Sequence, residues 1–125
     1  MNRKYFILII ISGFTGLMAN SCVKNSVEVL NGSCDTTNVT YSKDILPVLI
    51  DACYRCHGNG NTVFGSGINL EGYNNLQPWA GVGGFLEGNI THAKGFNPMP
   101  YNQPKLPDCE VNKFVDWIHR GAKND

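Results

Sequence analysis

The chain is 125 residues long, with 10 Lys and Arg balanced by 10 Asp and Glu, and it carries 14 Gly and 5 Cys. That length builds one small domain, and the even charge balance leaves no basic footprint, which sets nucleic acid aside as a partner. Five cysteines are too many for so short a chain to use as ordinary core residues, so each needs its own chemical role.

The chain opens with a basic stretch, Met1-Asn2-Arg3-Lys4, followed by an apolar run from Tyr5 to Met18. This is the charged and apolar pattern of a bacterial export signal. The run falls short of the roughly 20 apolar residues that span a bilayer comfortably. Ala19-Asn20-Ser21 then lead into Cys22. Small residues before a Cys resemble a lipoprotein signal, in which residues 1–21 are removed and Cys22 becomes the lipid-bearing first residue. Plain cleavage is the alternative, leaving Cys22 as a free or bonded thiol. Removing 1–21 leaves 104 of the 125 residues, with the balance shifted to 8 basic against 10 acidic groups. A chain of that size has a thin core, so a covalent or cofactor staple is expected. Export also implies an oxidising compartment, where disulfides persist.

Residues 22–40 are rich in Asn, Ser and Thr, show no helical period, and read as a flexible tether. The folded domain is expected over 41–125. A helix begins near Ser42, which can cap it, with Asp44 suited to the positive end and Pro47 tolerable near the first turn. Its apolar face is Ile45, Leu46, Leu49 and Ile50, with Cys53 four residues beyond Leu49. Residues 58–107 hold most of the glycines. Short helical turns are expected at Glu71–Gln77 and Phe85–His92, and no segment reads as a strand. So long a stretch with little regular structure points to organisation by something else, such as a large buried cofactor. A last helix is expected after Asp108 as cap, with Val111, Phe114, Val115 and Ile118 at helical spacing and Gly121 as a left-handed C-cap.

Cys53-Tyr54-Arg55-Cys56-His57 is a C-x-x-C-H sequence, which in an exported chain is the attachment site of c-type haem. The chemistry dictates the spacing. Two thiols one helical turn apart reach two vinyl groups on the same porphyrin edge, and the adjacent His57 presents its imidazole to the iron. A thioredoxin-like redox pair needs an α/β context that is absent here. Zinc needs a second ligand pair that His92, His119 and Cys109 do not supply.

For the sixth position on the iron, Met99 stands in Asn97-Pro98-Met99-Pro100 and is the one Met after residue 21. Flanking prolines stiffen its loop, and His/Met ligation raises the reduction potential. His92 is the rival, and a bis-His site would lower the potential. His119, beside Arg120 on the last helix, reads as a surface residue. Cys34 and Cys109 precede the first and open the last core helix, so they come within reach of each other if those helices pack. A disulfide closing that interval stabilises by up to roughly 4.5 kcal/mol through loop entropy.

In these features the chain resembles small, single-haem bacterial cytochromes c of class I type, and more narrowly exported lipoprotein cytochromes of similar length. The likeness is carried by Asp44-Ile45-Leu46-Pro47 leading into Cys53–Gly58, then Ile68–Tyr73, Ile90-Thr91-His92-Ala93, Met99-Pro100, Trp117-Ile118 and Gly121-Ala122. The resemblance runs from about Cys34 to Asn124. It implies an all-α, cytochrome c-like domain in which N- and C-terminal helices cross and Gly-rich loops wrap one covalent haem. It also implies His57 and Met99 as axial ligands, and it supports pairing of Cys34 with Cys109. The Gly- and Asn-rich stretch from Gly58 to Gly67 departs from the compact pattern.

The expected function is one-electron transfer by a lipid-anchored monohaem cytochrome of the cell envelope, periplasmic or outer-membrane associated. It is not expected to be an enzyme. Its expected partners are other redox proteins, with the membrane engaged through Cys22. The alternative is a haem protein that binds or senses a small gas through a labile sixth ligand.

Overall fold

The computed structural model describes residues 34–125. The signal at 1–21, the lipid anchor at Cys22 and most of the tether lie outside the described residues. Among the described residues the regular structure is entirely helical, and no helix is long and apolar enough to cross a membrane.

The first helical rod, α1, runs over residues 41–57. It alternates in register: a π-helical turn at Tyr41–Ile45, an α-helical stretch at Leu46–Val48, a second π-turn at Leu49–Cys53, and a final α-turn at Tyr54–His57. Pro47 explains part of this. An α-helical proline strikes the carbonyl four residues back, and the wider turn just ahead of Pro47 accommodates its ring. The cap differs from the sequence expectation. Thr40, not Ser42, is the N-cap; its hydroxyl accepts from the Lys43 amide at 3.4 Å. Asp44 returns the favour, its carboxylate accepting from the Thr40 amide at 3.0 Å, which gives a variant of the reciprocal capping box. Spacing of four then buries Tyr41, Ile45 and Leu49 on one face, whereas Leu46 is half-buried and Ile50, expected on that face, is 57% exposed.

A short helix, α2 (Tyr73–Leu76), runs into a 3-10 turn at Gln77–Trp79. Helix α3 spans Phe85–Thr91 and α4 spans Asp108–His119. Asp108 is the first residue of α4 rather than its cap. Pro107 holds the cap position without a side-chain hydrogen bond, as its fixed φ permits. At the other end Gly121 (φ +95°) makes the left-handed turn, with the Gly121 amide donating to the Ile118 carbonyl and the Ala122 amide to that of Trp117. These bonds form a Schellman pattern, with Gly121 in the left-handed C-cap role expected of it.

Helix α4 packs on both α3 and the start of α1. The core comprises Ile45 and Leu49 of α1, Leu76, Leu86 and Ile90, and Val111, Phe114, Trp117 and Ile118 of α4. Trp117 and Phe114 are each 1% exposed, and burial of such a side chain contributes roughly 1.5–3 kcal/mol. Tyr41 meets Trp117 and Tyr73 with ring centroids 6.0 and 5.4 Å apart.

Polar ties close the two ends of the described chain onto each other. Lys113 pairs with Asp44 at 2.9 Å, the Tyr41 and Ser42 amides donate to Asp125, and the Arg120 guanidinium donates to the Val39 carbonyl. The Cys34 and Cys109 sulfurs lie at bonding distance, with Cα atoms 5.4 Å apart. Residues 34–40, read from sequence as the end of the tether, therefore lie on the domain, with Val39 buried at 2% exposure.

The Thr40 amide, together with the Lys113 ammonium, holds the Asp44 carboxyl below its ordinary value. A depressed carboxylate stabilises the fold above its unfolded pKa of about 3.9 and loses that contribution as pH falls through the folded value. Asp44→Asn should therefore lower the unfolding free energy by about 1 kcal/mol at neutral pH. Urea titrations of variant and parent should converge as the pH drops below about 4.

Candidate haem-binding site

The four residues singled out as haem ligands and attachment points come together. Cys53, Cys56, His57 and Met99 line one cavity of about 1060 Å³. Its walls are largely apolar, with Ile68, Leu70, Trp79, Leu86, Ile90 and Phe96 among them.

One wall is the end of α1. Cys53 and Cys56, three residues apart, fall on the same helical face, and His57 is the last helical residue. Gly58 then leaves the helix in an extended conformation, its amide still donating to the Tyr54 carbonyl at 2.9 Å. Burial pushes the Cys53 thiol up to about 11, and the Glu110 carboxylate adds to the effect. A thiol held protonated is a poor nucleophile for disulfide exchange, which uses thiolate. Among the described residues no three His, Cys, Asp or Glu side chains form a metal-holding cluster.

His57 is fixed from two sides. Its Nδ1 lies 3.1 Å from the Ile68 carbonyl, and its own carbonyl accepts from the Leu70 amide at 2.7 Å. A carbonyl partner requires Nδ1 to carry the proton, which leaves the Nε2 lone pair for a metal. The stretch 58–67 supplies a further support. It is ordered by successive turns, with the Gly65 and Gly67 amides both donating to Thr62 and the Ile68 amide to Gly65. Gly65 is buried against His57; a Cβ there would strike the His57 ring and the Cys56 carbonyl. Within the departure from the compact pattern noted in the sequence, Gly65 thus backs the imidazole.

Met99 belongs to another part of the same lining. Its amide donates to the Asn89 carbonyl at 3.0 Å, and its carbonyl receives the His92 Nε2 at 3.0 Å. Phe96 lies over Gly88, where a Cβ would meet the ring at 2.5 Å. The Met99 loop is therefore docked on the last turn of α3. His92 is exposed and does not line the cavity. His119 sits at the surface, paired with Glu87 at 3.0 Å. Burial alone would raise the Glu87 carboxyl, but the Gly83 amide and His119 outweigh it and hold it below its ordinary value.

Sequence reasoning did not identify Ile68, Gly65 or Asn89 as supports, because backbone carbonyls and a missing Cβ leave little trace in a sequence. The cluster of glycines was the one available signal.

Gly65→Ala should cost about 1–3 kcal/mol through overpacking against the imidazole, lowering the melting temperature by roughly 4–8 °C for each kcal/mol. Gly81→Ala, where a Cβ meets nothing within 4 Å, should stay within about 0.5 kcal/mol of the parent in the same melts.

No protein-family model, curated protein or solved structure matches the chain.

Proposed function

We propose that the chain is a small monohaem cytochrome c of class I type, exported and held at the cell envelope by a lipid on Cys22, where it carries single electrons between other redox proteins. One observation carries this reading: the C-x-x-C-H turn and the lone downstream methionine, 42 positions after His57, wall the same apolar cavity. Its volume, about 1060 Å³, lies just above the roughly 300–1,000 Å³ common for ligand pockets, which suits a porphyrin. The packing of α4 on α1, with the intervening loops around the cavity, fits the cytochrome c-like arrangement expected from the resemblance.

Bound haem supplies reversible one-electron chemistry at its iron. The chain's residues supply the rest. Cys53 and Cys56 hold the group by thioether bonds from one helical face. Ile68 keeps the proton on Nδ1 of His57, leaving Nε2 to bind the iron. Met99 offers a soft thioether, which stabilises the ferrous state and raises the potential. The apolar side chains keep water from the metal. Phe64, Phe85 and Tyr101, which are 79, 64 and 71% exposed, belong to the same cavity lining. They offer apolar surface that a flat, largely apolar group would cover. The reading assigns electron transfer and no catalytic residue. With a charge near neutrality, contacts with redox partners are expected to be small and transient.

Visible spectra of the mature protein, made in a host that attaches c-type haem, test the reading. Sharp low-spin bands, a far-red sulfur-to-iron band when oxidised, and indifference to carbon monoxide are expected. Met99→Ala should remove the far-red band, admit carbon monoxide and lower the potential by on the order of 100 mV, within the ~0.8 V span that axial ligands cover. High-spin bands or carbon monoxide binding in the parent would favour gas binding instead.

A further inference from the structure

We propose that His92 is a positioning residue that clamps Met99 from outside the cavity and so sets how readily the sixth position opens; the inference rests on the proposed His/Met reading. Met99 is gripped at both of its backbone polar groups by one turn of helix. Its amide donates to the Asn89 carbonyl, and its carbonyl accepts from His92 Nε2, each at 3.0 Å. Both partners belong to the last turn of α3 or its cap, so the grip spans a single rigid element. Two further contacts fix the returning loop to the same turn. The Ala93 amide donates to Gly88 at 2.9 Å, and Phe96 rests where Gly88 lacks a side chain.

The backbone at His92 supports a specific role. His92 is the C-cap of α3 and adopts a left-handed conformation, φ +59° and ψ +38°. Gly or Asn usually fills such a position, and neither carries a ring nitrogen that can reach across the loop. A side chain in an uncommon backbone conformation that also hydrogen-bonds the carbonyl seven residues further on marks a site of functional constraint. The sequence admitted His92 as a rival ligand. Its Nε2, however, is engaged by the Met99 carbonyl, and the residue does not line the cavity. It acts on the sulfur through the backbone of the residue that carries it.

The test uses the mature haem-loaded protein and imidazole as a probe that competes with Met99 for ferric iron. His92→Ala removes the grip on the carbonyl and should raise the apparent imidazole affinity about fivefold, the factor that one ordinary hydrogen bond contributes. His92→Gln, which keeps an N–H donor of similar reach, should restore most of the parental value. His119→Ala serves as the control. It removes a different surface hydrogen bond, to Glu87 on α3, and should lower stability without changing imidazole affinity. An unchanged affinity in His92→Ala, or an equal rise in His119→Ala, overturns the clamp while the far-red band of the parent still upholds His/Met ligation. Absence of that band in the parent, with conversion to high spin in His92→Ala, makes His92 the ligand and overturns both readings.

Discussion

The contact on which the site depends is that between His57 Nδ1 and the Ile68 carbonyl, 3.1 Å apart. It joins the end of α1 to a segment that has no regular structure of its own. It also selects the imidazole tautomer, leaving Nε2 with its lone pair. Gly65 permits the approach, since any side chain there would collide with the ring. The loop between Gly58 and Ile68 therefore fixes the orientation of a group that its helix alone would leave free to rotate.

In a domain this small, ties outside the core add appreciably to its stability. The described ends are drawn together by the Cys34–Cys109 pair, the Lys113–Asp44 ion pair and the amides of Tyr41 and Ser42 on Asp125. These ties hold α1 against α4 at one end, while the other end of α1 opens into the cavity. The second wall is built separately, by docking the Met99 loop on α3. Neither wall depends on strand pairing, which explains how 58–107 stays ordered with only short helices. On the proposed reading, the covalent group between the walls joins the two halves.

Much of this was legible in the sequence because its signals are local. The Cys53–His57 spacing, the apolar period of Val111, Phe114 and Ile118, and Gly121 as a left-handed cap depend on residues within a turn or two of one another. The first cap was misplaced by two residues, since Ser42 and Thr40 have the same capping chemistry, and what distinguishes them is the reciprocal bond of Asp44 to the Thr40 amide and the tie of the Ser42 amide to Asp125. Ile50 fits the apolar face only on a regular α-helical period, and the π-turns of α1 shift that register. Trp117 went unread as a core residue because it falls between two periodic positions, yet it packs against Tyr41. The grip of His92 on Met99 was illegible for another reason. It uses a backbone carbonyl, so nothing in residue type marks the partner.

The central claim is covalent attachment of one haem through Cys53 and Cys56. Its most direct test is to express the full chain with c-type maturation machinery, denature it, extract with acidified acetone, and look for haem on the polypeptide by absorbance and intact mass. The account predicts one haem retained on the chain, lost when both cysteines are changed to Ala. Haem that extracts from the unaltered chain, or that stays bound after both cysteines are replaced, would contradict it.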